Sequence, residues 1–111
     1  MKNTTKIAIA GLALAFTAAG ASAAPASENW ENSCASCHGA DGKGQTKQGK
    51  KLKVRDYSDA KVQAELKDAD MAKAVTEGVK ADGKERMKAF KEELSADEIK
   101  DLVAHIRKFK A

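Results

Sequence analysis

Cys34-Ala35-Ser36-Cys37-His38 places both cysteines of this 111-residue chain, and one of its two histidines, within five positions. Two thiols three positions apart, with a histidine directly after the second, form the C-x-x-C-H signature of covalent haem attachment. Each thiol can add across one vinyl group of a porphyrin, and the adjacent His38 then offers its imidazole to the iron. The glycine-rich run Gly39-Ala40-Asp41-Gly42-Lys43-Gly44 follows at once and reads as a loop. Three other uses of the cysteines compete with this one. A thioredoxin-like redox pair wants a β-α-β context, and no strand-like alternation lies nearby. A structural zinc site wants about four ligands, whereas the chain has two Cys and two His, with His105 far away. A plain disulfide suits an oxidising compartment but leaves His38 unexplained.

N-terminal to this motif, Lys2 and Lys6 precede the apolar stretch Ile7 to Ala19, which ends in Ala21-Ser22-Ala23. That is the charged, apolar, A-x-A order of a secretory signal peptide, so residues 1–23 are expected to be cleaved and residues 24–111 to form one domain. The competing reading is a retained anchor, although the stretch only approaches the length of a membrane span. The overall charge of +4 and pI of about 9.1 do not point to nucleic acid. The basic residues are not interleaved with aromatics, as a base-stacking surface requires. Beyond the signal only Trp30, Tyr57, Phe90 and Phe109 are aromatic. A domain so small has a thin core of its own, and a porphyrin would fill it.

C-terminal to the motif the apolar spacing is helical throughout. Ser27 can cap a first helix that carries Trp30 one turn before Cys34. Residues 39–56 read as a loop. Ser58 or Asp59 can cap a second helix with Val62 and Leu66. Asp68 opens a third with Met71, Ala74 and Val75, which Gly78 can end. Residues 79–94 read as a second loop. Ser95-Ala96-Asp97-Glu98 is a capping box, and Ile99, Leu102, Val103, Ile106 and Phe109 give the last helix an apolar stripe. Arg107, Lys108 and Lys110 suit the C-terminal end of its dipole.

The second axial position on the iron decides between carrier and ligand binder. Met87 is the favoured ligand, because it stands alone in a polar loop with no apolar stripe to join. Met71, by contrast, sits at core spacing and reads as packing. His105 is the rival, at the edge of the Leu102/Ile106 stripe, where it also reads as a packed helix-face residue. A His38/Met87 pair raises the reduction potential and closes the iron to small molecules.

The chain resembles a class I c-type cytochrome, a small soluble monohaem bacterial cytochrome c, over nearly all of residues 26–111. The resemblance rests on Cys34-Ala35-Ser36-Cys37-His38-Gly39 with Asp41-Gly42-Lys43-Gly44. It continues through Met87 followed by Ala89-Phe90, and through Leu94-Ser95-Ala96-Asp97-Glu98-Ile99 leading to Leu102-Val103-Ala104-His105-Ile106-Arg107. It implies an all-α, compact fold of about four short helices around one covalently attached haem c, with the first and last helices crossing. It also implies thioether links at Cys34 and Cys37 and the axial pair His38 and Met87. Trp30 matches the first-helix aromatic at the crossing, and His105 the last-helix aromatic. The chain departs from the family in three places. Lys88 stands where proline commonly follows the ligand methionine, no proline follows the haem motif, and Ala26 stands where glycine is common at the crossing.

The expected function is that of a periplasmic one-electron carrier in a respiratory or similar chain, not an enzyme. Its expected partners are a redox donor and acceptor, such as a membrane-bound oxidase or reductase, and its expected state is a monomer. Leu52, Val54, Met71, Val75, Phe90 and Leu94 are the expected apolar walls, and Trp30, Arg55 and Tyr57 the candidate propionate donors. Lys47, Lys50, Lys51, Lys53, Lys84, Lys88 and Lys91 form a candidate docking surface for an acidic partner. The alternative is an open haem that binds CO, NO or peroxide if Met87 is not a ligand.

Overall fold

Ser95 caps the longest helix among the described residues, and the rest of the domain is arranged against it. The computed structural model describes residues 24–110. Over these residues the order is α1 (Ala26–Ser33), α2 (Ala35–His38), α3 (Lys47–Leu52), α4 (Ala60–Glu65), α5 (Asp68–Glu77), β1 (Val79–Ala81), β2 (Lys84–Met87) and α6 (Ala96–Arg107). The expected cleavage site and signal segment, residues 1–23, lie outside the described residues. The described residues are mostly helical, with six short helices where about four were expected.

The capping box of α6 is complete. The Ser95 hydroxyl accepts from the Glu98 N–H, and the Glu98 carboxylate accepts from the Ser95 N–H, both at 3.1 Å. Ile99, Leu102, Val103 and Ile106 on its inner face are buried, as the period of 3.6 residues demands. α1 and α5 both pack on this face. Trp30 and Cys34, from α1 and the residue that ends it, join Met71 and Val75 of α5, Phe90, Leu94 and the α6 stripe in one core. Leu102, at 1% exposure, is its best-covered side chain.

Three local details depart from the sequence reading. Ser27 is not the cap of α1. Pro25 occupies that position and no side chain caps the helix, while the Pro25 carbonyl accepts from the Glu28 and Asn29 N–H groups. Of the two candidates for α4, Asp59 is the cap, and Ser58 bonds to Asp56 instead. The two glycine- and lysine-rich loops also carry secondary structure. Thr46 caps α3 by accepting from the Gly49 N–H, and β1 and β2 form an antiparallel hairpin across Asp82-Gly83.

Residues Asp82 and Gly83 have φ of 54° and 72°, the positive values that a two-residue hairpin turn needs.

A buried polar clasp joins α4 to α6. The Gln63 side-chain amide is buried and donates to the Ile106 carbonyl at 2.8 Å and to the Tyr57 carbonyl at 2.7 Å. Arg107 donates to the Gln63 side-chain and main-chain oxygens, to the Leu66 carbonyl and to Asp68. Every polar atom of the Gln63 side chain thus has a partner, which is the condition for burying an amide without loss of stability.

Candidate functional site

Cys34, Cys37, His38 and Met87 line one cavity of about 250 Å³, together with Ser33, Leu52, Val54, Arg86, Lys88 and Phe90. Residues brought from three separate stretches of the chain, 33–38, 52–54 and 86–90, therefore meet at one site. Cys34 closes α1, its N–H donating to the Trp30 carbonyl at 2.9 Å. α2 then carries Cys37 and His38 as a single helical turn, which is what spaces two thiols and an imidazole along one short segment.

The thiols remain unpaired with each other. Burial and, to a smaller extent, the neighbouring Cys37 push the Cys34 thiol up from 9.0 to about 11. Cys34 is therefore a neutral thiol at neutral pH. A dithiol redox pair instead works through a thiol of depressed pKa, and burial acts the other way on Cys34. No group of three or more His, Cys, Asp or Glu is arranged to hold a bare metal ion among the described residues.

The Cys37 carbonyl is fastened from behind. The Thr46 hydroxyl donates to it at 2.6 Å while accepting from the Gly49 N–H at 2.8 Å. Gly49 itself passes so near the Cys37 and Gly44 carbonyls that a side chain there would collide with both. The short α3 thus holds the haem motif in place. Sequence reading missed it because Lys47-Gln48-Gly49-Lys50-Lys51-Leu52 has no apolar period; the cap residue Thr46 was the available signal.

His38 is held among aromatic rings. Its ring centroid lies 5.3 Å from that of Tyr57, nearly parallel at 23°, and 5.6 Å from that of Trp30. Burial lowers its pKa, which favours the neutral imidazole that coordinates metals. Its Nδ1 is sealed from solvent with no hydrogen-bond partner among the described residues.

Met87 ends β2 and is half-buried at the cavity wall. Three features fix its backbone. It pairs with Val79 across the hairpin. The Phe90 N–H donates to the Val75 carbonyl at 2.9 Å, just beyond it. Gly78, with φ of 77°, lets the Met87–Ala89 backbone approach so closely that a Cβ would stand 2.6 Å from the Met87 oxygen. Sequence reading placed Met87 in a loop; the Asp82-Gly83 dipeptide was the hairpin signal.

The other candidates sort cleanly. Leu52, Val54 and Phe90 line the cavity, whereas Met71, Val75 and Leu94 belong to the core beside it. The only N–H of the Trp30 side chain is committed to the Gly39 carbonyl at 2.9 Å, so Trp30 is not a free propionate donor. Arg55 is paired with Glu65. The Tyr57 hydroxyl makes no hydrogen bond to the described residues. His105 packs its ring on Trp30 at 5.7 Å and on Phe109 at 5.0 Å and is not part of the cavity wall.

Two thiols, an imidazole, a thioether and apolar walls around one cavity form a donor set that fits a covalently held haem. Comparison with known proteins agrees. A family model described as cytochrome C oxidase, cbb3-type, subunit III matches residues 21–106. Among solved structures, the chain is similar to the KustC0563 c-type cytochrome at 34% identity and a TM-score of 0.71, over 79% of this chain and 100% of that one. It is also similar to a mutant of Kustc0563 at 34% identity and a TM-score of 0.68, over 78% of this chain and 100% of that one. No curated protein matches. With the haem motif, the fold and the family model in agreement, the chain belongs to the class I c-type cytochromes, within the family described as cytochrome C oxidase, cbb3-type, subunit III, and carries one covalently bound haem c.

Proposed function

We propose that the protein is a periplasmic, monomeric one-electron carrier, with haem c attached at Cys34 and Cys37 and its iron held between His38 and Met87. The observation that carries this reading is the convergence of those four side chains on one cavity, while His105 packs elsewhere. The haem supplies the Fe(II)/Fe(III) couple. The chain contributes the rest. His38 offers a neutral imidazole, and Met87 offers a soft thioether that favours the reduced state and raises the potential. Leu52, Val54 and Phe90 keep water from the site and so favour the less charged centre. Export through residues 1–23 belongs to the same proposal.

The family description suits a partner in a membrane-bound oxidase complex. Lys47, Lys50, Lys51, Lys53, Lys84, Lys88 and Lys91 are all exposed, and Lys88 lies at the cavity itself. They support transient docking of an acidic redox protein.

The deciding test is the absorption spectrum of the oxidised protein beside that of Met87→Ala. The reading expects the weak far-red band of methionine sulfur on ferric haem in the wild type, its loss in the variant, and carbon monoxide binding to the reduced variant alone. A wild type that lacks the band and binds carbon monoxide freely is an open, ligand-binding haem instead.

A further inference from the structure

We infer that Lys88 is a positioning residue for Met87: its ammonium group, paired with Glu93 and lying over the Phe90 ring, fastens the main chain that leaves the thioether. The inference rests on the proposal that Met87 binds the iron. On either side of this point the chain is well tied. Met87 pairs with Val79 across the hairpin. The Phe90 and Lys91 N–H groups donate to the Val75 and Thr76 carbonyls of α5 at 2.9 and 3.3 Å. The Glu93 and Leu94 N–H groups then turn back to the Phe90 carbonyl at 2.9 and 2.8 Å. Between these anchors, Lys88 and Ala89 make no main-chain hydrogen bond to the described residues. They are the slack in the segment, and they follow the ligand directly.

The Lys88 side chain takes up that slack. Lys88 lines the cavity beside Met87. Its ammonium nitrogen forms an ion pair with Glu93, in the turn that leads into α6. The same nitrogen stands 5.5 Å from the centroid of the Phe90 ring, within range of a cation–π attraction. Phe90 is 8% exposed and belongs both to the core and to the cavity wall. The two contacts therefore join residue 88 to a fixed point inside the fold and to the start of the last helix. Both charged side chains are about half exposed, so the pair adds little to global stability. Its leverage is local. For the thioether to leave the iron, the slack residues must swing, and the clamp spans them.

The experiment uses the intact oxidised holoprotein and free imidazole, which binds ferric iron once the thioether has let go. Binding is followed by loss of the far-red band at about pH 8, where imidazole is mostly neutral. Glu93→Gln and Lys88→Gln are each expected to bind imidazole about two- to fivefold more tightly than wild type at low ionic strength. The double variant is expected to gain no more than either single one, because the two residues act as one pair. Salt at about 1 M should bring wild type close to the variants, since it screens an exposed pair. Lys100→Gln, on an exposed position of α6, changes the net charge alone and is expected to titrate like wild type. Wild-type affinity in Glu93→Gln at low salt overturns the inference, and so do gains that add in the double variant or a gain of the same size in Lys100→Gln. A wild type with no far-red band overturns the inference together with the reading beneath it. A band that is present, with titrations that do not move, overturns the inference alone.

Discussion

Gly78 shows how much of the site depends on a residue with no side chain. Its φ of 77° lies where L-residues are strained, and its missing Cβ makes room for the Met87 oxygen and the Ala89 nitrogen. Gly78→Ala should therefore lower stability by about 1–3 kcal/mol through backbone strain alone, read by denaturant unfolding. It should also weaken the far-red band, since the strand that carries Met87 must shift. Alanine at the neighbouring exposed position Val79 should do neither. The cysteines show a division of labour at the same scale. Cys34 is in the core, and Cys37 is half-buried. The haem motif is thus part of the packing of the protein as well as its chemistry.

At the scale of elements, α6 is the part whose sequence states its structure most fully. Ser95→Ala removes one half of the capping box and should cost about 1 kcal/mol, measurable as a lower denaturation midpoint with an unchanged slope. Glu98 adds a pH-dependent contribution. Hydrogen bonds, first from the Asn29 side chain and then from the Ser95 N–H, hold its carboxyl below the usual carboxylate range. A carboxyl depressed in the folded state stabilises the fold above its unfolded pKa, and loses that contribution as pH falls through the folded one. Glu98→Gln should thus be less stable than wild type at neutral pH and approach it in acid, as paired unfolding curves would show. The capping box, the apolar stripe and the haem motif were legible because each is a local pattern with one structural solution. The elements that escaped notice, α3 and the β1–β2 hairpin, have almost no apolar period. They are held by Thr46, by the positive φ of Asp82 and Gly83, and by contacts with distant segments. For the same reason Cys34, Cys37, His38 and Met87, which the structure gathers on one cavity, could each be picked out singly. The stack of Tyr57 on His38 joins residues far apart in sequence and could not.

For the whole molecule, the basic residues flanking the cavity are the feature a partner meets first. If the lysines steer an acidic redox protein, the bimolecular electron-transfer rate should fall as ionic strength rises from about 0.01 to 0.15 M, because the screening length shortens from about 30 to 8 Å. Stopped-flow rates with an acidic and a neutral electron acceptor, compared across salt, would show it only for the first. The architecture behind that surface depends on α1 staying joined to α6, and the joint is marked by Trp30. It is the chain's single tryptophan, 3% exposed, with its ring 5.6 Å from that of His38. At such a range a haem drains the excited state of an indole before it can emit. A haem attached at Cys34 stays one turn from this indole even when the first and last helices part, so the holoprotein is dark folded or partly opened, and emission from the single tryptophan marks chains that lack haem.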